Sequence, residues 1–129
     1  MSRQNMVWVL RADAIFNFIA GVVSIFYLSP VLAAIGWPDA GEGRIYASAL
    51  GAALIGLSIG VWLASNHPEQ ARDMIIAAVI AKTLAGVTIL YYIYVLNTLL
   101  PSPFLLPAAV VVQVLFVLGE LSFLVRNRA

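Results

Sequence analysis

Cysteine is absent from this chain, and histidine occurs once. Without thiols there are no disulfides, thiolate metal sites, iron–sulfur clusters or dithiol relays within the chain, though this says nothing about redox compartment. A single imidazole, His67, cannot supply both axial ligands of a haem, and no metal or cofactor is expected. Charge is also scarce. Asp, Glu, Lys and Arg make up 10% of the 129 residues, against about 25% in soluble domains. So few charges cannot clothe a surface that faces water on all sides. The net charge of +1 offers no general attraction to nucleic acid, and no nucleic-acid partner is expected.

What fills the sequence is apolar: 63% of residues are hydrophobic. A helix crossing a bilayer needs about 20 consecutive apolar residues. Four stretches meet this, over roughly 6–28, 45–64, 74–96 and 104–125. They are apolar on every face, which argues against the alternating pattern of barrel strands. The expected fold is all-α: one domain over 1–129, a polytopic membrane protein built as a four-transmembrane-helix bundle. Turn signals separate the spans. Ser29-Pro30 closes the first, and the longest connection, 30–44, holds Gly36, Pro38, Gly41 and Gly43. Asn66-His67-Pro68-Glu69 predicts a helix start, with a polar cap and a proline in the first turn. Ser102-Pro103 repeats that pattern before the fourth span. Asp13 and Asn17 make the first span unlike the apolar core of a cleaved signal, so it is expected to remain in the chain.

Four spans place both termini and the middle connection on one side. Arg3, Arg11, Arg72, Arg126 and Arg128 fall there, and only Arg44 falls opposite, with Asp39 and Glu42. Positive charge marks the cytoplasmic face, so the expected topology is N-in and C-in, with both termini cytoplasmic. Aromatic residues suit interfacial belts, with Trp8 and Trp62 at the inner boundary and Tyr27, Trp37, Tyr46, Tyr92, Tyr94 and Phe104 near the outer.

In the second span Ser48, Ala52, Gly56, Gly60 and Ala64 recur every four residues. Small side chains on one helix face let another backbone approach closely. This stripe is expected to serve helix packing, within the bundle or between two copies.

Charged groups inside hydrocarbon cost from about 2.5 to above 10 kcal/mol, so the few within the spans are informative. Lys82 lies about nine residues into the third span, roughly 13 Å deep at 1.5 Å per residue. Glu120 is roughly 9 Å deep, and Asp13 and Asn17 lie at roughly 10 and 16 Å on one face of the first span. Gln113 and Glu120, seven apart, share a face of the fourth. All fall in the same half of the membrane. Lys82 is therefore expected to pair with Glu120, Asp13 or both, with Asn17 and Gln113 supplying further hydrogen bonds, because a buried ion needs more than one partner. Two uses are open: a polar network that fixes which helix packs on which, or a binding or proton-transfer site facing the cytoplasm. Arg11 sits close enough to the edge to reach phosphate head groups. Hydrolytic serine chemistry would need a base beside a serine, and Ser65 near His67 is a poor candidate.

The segment RADAIFNFIAG, with Arg11, Phe16 and Gly21, resembles the first helix of the small four-helix bacterial membrane proteins grouped as DoxX-like. Length and four-span layout are similar. Such proteins often carry a lysine shortly after the glycine, where this chain has Ser24. The resemblance implies an accessory membrane subunit, with no catalytic residue to carry over. Small multidrug transporters share the four helices and an acid in the first, by analogy only. The chain is thus expected to be a non-enzymatic accessory or scaffold subunit, with a small proton-coupled carrier or ligand-binding protein as the alternative. Its expected partners are the lipid bilayer and a second copy or another membrane protein.

Overall fold

A computed structural model describes residues 2–27, 43–95 and 105–126, with Pro30, Ala33 and Ala34. The fold is all-α. Its four helices are α1 (Arg3–Phe26), α2 (Gly43–Ala64), α3 (Arg72–Tyr94) and α4 (Leu105–Arg126), and there is no strand among the described residues. Helix ends fall within three residues of the expected spans. The glycine-rich connection, Ser102-Pro103, Trp37 and Phe104 lie outside the described residues, as do the side chains of Arg44, Tyr46 and Tyr92. Among the described residues, two helices, α1 and the 47–64 part of α2, are long and apolar enough to cross a membrane.

Each helix packs on its sequence neighbour, and α4 returns to α1, closing a ring. Ser2 caps α1, its Oγ accepting from Asn5 N at 3.2 Å, which satisfies one of the free N–H groups of the first turn. The α2–α3 connection departs from expectation. Asn66-His67-Pro68-Glu69 does not start a helix. Successive turns are closed by His67 N donating to Ala64 O and Gln70 N donating to His67 O. Helix α3 begins at Arg72, after an N-cap, Ala71, that has no side-chain bond. Asp73 then supplies negative charge at the positive end of the helix dipole.

Arg3 donates to Asn66 O at 3.0 Å and pairs with Glu69 at 3.2 Å. Arg72 donates to Leu124 O at 3.3 Å. These contacts bring the start of α1 and the end of α4 to the α2–α3 turn, so both lie at one end of the bundle. Just inside that end sits the apolar core of Met6, Leu10, Val61, Ile75, Ala78 and Phe123.

The tightest packing is between α1 and α2, through glycines. A Cβ built on Gly21 would lie 2.6 Å from Gly51 O, and one on Gly51 would lie 2.7 Å from Gly21 O. The four-residue stripe of α2 is not one contact surface. Gly60 lies against Met74 of α3, and Ala64 is buried. Ala52 and Gly56 are exposed, with open space around Gly56. The reason is geometric: at 3.6 residues per turn, each four-residue step drifts about 40° around the helix. A seven-residue step drifts only about 20°, and Gly51, Ser58 and Ser65, seven apart, are all buried.

Candidate functional site

Burial on α1 follows Met6, Leu10, Asp13, Asn17 and Gly21, a stripe of three- and four-residue steps. Such a stripe faces one neighbour set along its whole length. It therefore carries Asp13 and Asn17 into the bundle. On α3, Ile75, Ala78 and Lys82 form the inward row, and on α4, Glu120 sits one turn before Phe123 and Leu124.

The three charged groups meet. Lys82 Nζ lies 2.5 Å from Asp13 Oδ2 and 2.5 Å from Glu120 Oε1. Lys82 is 5% exposed, Asp13 1% and Glu120 0%, so water and salt screen the pairs far less than surface pairs. Lys82 donates a directed hydrogen bond to Glu120 Oε1. Its contact with Asp13 Oδ2 is ionic and off the hydrogen-bond angle, which leaves that oxygen without a hydrogen-bond donor. Asn17 Nδ2 donates to Asp13 Oδ1 at 2.7 Å and to Asp13 O at 3.0 Å. Gln113 Nε2 donates to Asn17 Oδ1 at 2.9 Å.

The result is one continuous path: Gln113 of α4, Asn17 and Asp13 of α1, Lys82 of α3, and back to Glu120 of α4. All five expected residues stand together. Phe116 flanks them, its ring 6.1 Å from that of Phe16 and 5.9 Å from Lys82 Nζ. Nothing in the sequence singles out Phe116 beyond its place midway between Gln113 and Glu120.

The cluster holds one cation and two carboxylates. Gln113 Oε1 and Glu120 Oε2 are buried and accept from no group among the described residues. Orphaned acceptors of this kind are costly.

Toward the end that carries the α2–α3 turn, the cluster is closed by Leu10, Ile75, Ala78, Phe123 and Leu124. A cavity of about 220 Å³ lies on the other side, between α3 and α4. It is lined by Lys82, Gly86 and Leu90 with Val110, Gln113 and Val117, and its walls are overwhelmingly apolar. The cause is shape: α3 narrows to glycine at Gly86, where a Cβ would touch nothing.

A second group of polar residues sits at the α2–α3 turn. Arg11 Nε donates to Ser65 Oγ at 3.3 Å, and its guanidinium lies 5.3 Å from the Trp62 ring centre. The Ser65 hydroxyl donates to Trp62 O at 2.6 Å, so it is already engaged, and His67 is exposed. No group of three or more His, Asp or Glu residues that could hold a metal ion occurs among the described residues.

No family model, curated protein or solved structure matches this chain. The DoxX-like resemblance rests on the Arg11–Gly21 segment and the four-helix layout.

Proposed function

We propose that the chain is an integral membrane protein of the bacterial inner membrane, crossing it four times with both termini cytoplasmic. In this reading it is a non-enzymatic accessory or scaffold subunit of the DoxX-like kind. The helices have 24, 22, 23 and 22 residues, about 33–36 Å at 1.5 Å per residue, enough for a hydrocarbon core of about 30 Å. Only 28% and 22% of the apolar windows of α1 and α2 are buried. A core helix of a soluble protein would be mostly covered, whereas here Ile19, Leu50, Leu63, Leu84, Leu115 and Leu118 point outward. Such a surface suits lipid or a partner helix.

The observation that carries the scaffold reading is the closed path through α1, α3 and α4 around Lys82. It fixes the order of the helices and is shut off from the end where a cytoplasmic ligand would enter. A second reading, a small proton-coupled carrier or ligand-binding protein, is favoured by the excess carboxylate and the orphaned Glu120 Oε2. One preparation separates them. Extracted mildly, a scaffold brings down a discrete protein partner, and Lys82→Met weakens that assembly. Reconstituted alone in liposomes, a carrier shows pH-dependent ligand binding or flux that Asp13→Asn and Glu120→Gln abolish. That second outcome, without a partner, would replace the scaffold reading.

A further inference from the structure

We infer that the groove between α1 and α2 binds one anionic phospholipid, with its phosphate on Arg11. The inference rests on the membrane reading above. The groove has a volume of about 290 Å³. Ala14 and Ser58 form its floor, and Ile15, Phe18, Ile59 and Leu63 its sides. The Ser58 hydroxyl is spent on Leu54 O at 2.6 Å, so the floor offers an occupant only apolar surface.

One rim is different. Trp62 lines it, and the Arg11 guanidinium lies against that ring. The bond from Nε to Ser65 Oγ fixes the direction of the fork. The two terminal nitrogens of Arg11 have no acceptor, and Arg11 has no carboxylate partner, among the described residues. An arginine fork matches two phosphate oxygens at once.

Depth fits the same occupant. Helical side chains tilt toward the N-terminus, so Arg11 reaches up to the level of Ser65 in the polar turn. The groove runs away from that turn over residues 14–19 of α1, about 8 Å at 1.5 Å per residue. A phosphate above and an apolar chain below is the layout of a phospholipid. A free phosphate would leave the groove empty, and a neutral apolar molecule would leave the fork unmatched.

Trp62 is its own reporter. In the full chain, Trp8→Phe and Trp37→Phe leave it as the single indole. This protein is placed in phosphatidylcholine vesicles that contain a rising fraction of lipid brominated on its acyl chains, either phosphatidylglycerol or phosphatidylcholine. Bromine quenches an indole it touches. The expected result is half-maximal quenching at about a fivefold lower fraction of the anionic lipid, the preference that one arginine near the surface confers. Arg11→Gln should equalise the two lipids, and Arg11→Lys should keep a preference. Added inorganic phosphate should change nothing. Equal quenching by both lipids in the unmodified site, or relief by phosphate, overturns the lipid site and leaves the membrane reading standing. Quenching by neither lipid overturns both.

Discussion

Lys82 lies between two carboxylates, all three almost fully buried, and the stoichiometry decides what its neighbours are worth. Replacing it with methionine leaves two facing acids without a cation. Removing one partner of a buried pair costs about 3–5 kcal/mol, so Lys82→Met should lower stability by that order, read as loss of helicity on titration with a denaturing detergent. Neutralising one acid is milder, because the other still holds the ammonium. Asp13→Asn or Glu120→Gln should each cost about 1 kcal/mol, the scale of a single contact between membrane helices. The triple change to Met, Asn and Gln removes every charge and should recover most of what Lys82→Met alone loses. At the exposed end, Arg3→Gln should change stability by less than about 1 kcal/mol despite its pair with Glu69, because solvent and salt screen it. The five cluster residues were legible because charge in an apolar run is conspicuous and helical rise converts sequence distance into depth. The direction of access was not legible. Which side of Lys82 is filled depends on whether the neighbouring turns carry bulk or glycine, and on how Phe123 and Leu124 meet Leu10 and Ile75.

Among the helices, α1 and α2 touch backbone to backbone while α3 and α4 stand off around a cavity. The difference follows from where glycine falls in the contact row. Gly21→Ala or Gly51→Ala puts a methyl against a carbonyl oxygen at a distance that real contacts do not reach. Overpacking of this kind costs about 1–3 kcal/mol. Gly56→Ala meets open space and should be neutral, or stabilising by about 0.5–1 kcal/mol from backbone entropy alone. Thermal unfolding of the three variants in one detergent checks the order. A loss at Gly56, together with a shift from dimer to monomer, would show that a second copy sits there. The four-residue spacing marks small residues in α2, but a straight row of such steps winds around the helix: Gly60 and Ala64 face the bundle, Ala52 and Gly56 face outward, and Gly51, the residue that meets α1, falls outside the row. The cap signal at Asn66 misled for a related reason. Asn and Pro favour tight turns as much as helix starts, and here the turn prevails because Pro68 is buried within it.

For the whole molecule, the lack of cysteine is a practical asset. Single-cysteine variants can be labelled without background. If the arginine-rich end faces the cytoplasm, Ser2→Cys and Gln70→Cys should resist a membrane-impermeant maleimide in intact cells and react once the cells are opened. Ala40→Cys should react in both. The opposite pattern would invert the topology. Mixed labelling at both ends would mean dual insertion, which the arginine asymmetry argues against.

The order in which the cluster's parts are made has its own consequence. Asp13 belongs to α1, Lys82 to α3 and Glu120 to α4, and they are synthesised in that order. If α1 and α2 cross a membrane as proposed, their nascent hairpin holds a carboxylate in hydrocarbon with no ammonium to meet it. Only when α3 arrives does the acid find its counter-ion, and α4 then adds a second claimant. Emergence of α4 therefore closes the polar circuit, and under the proposed membrane reading a ribosome stalled after residue 71 would leave a hairpin poorly suited to stay in a bilayer.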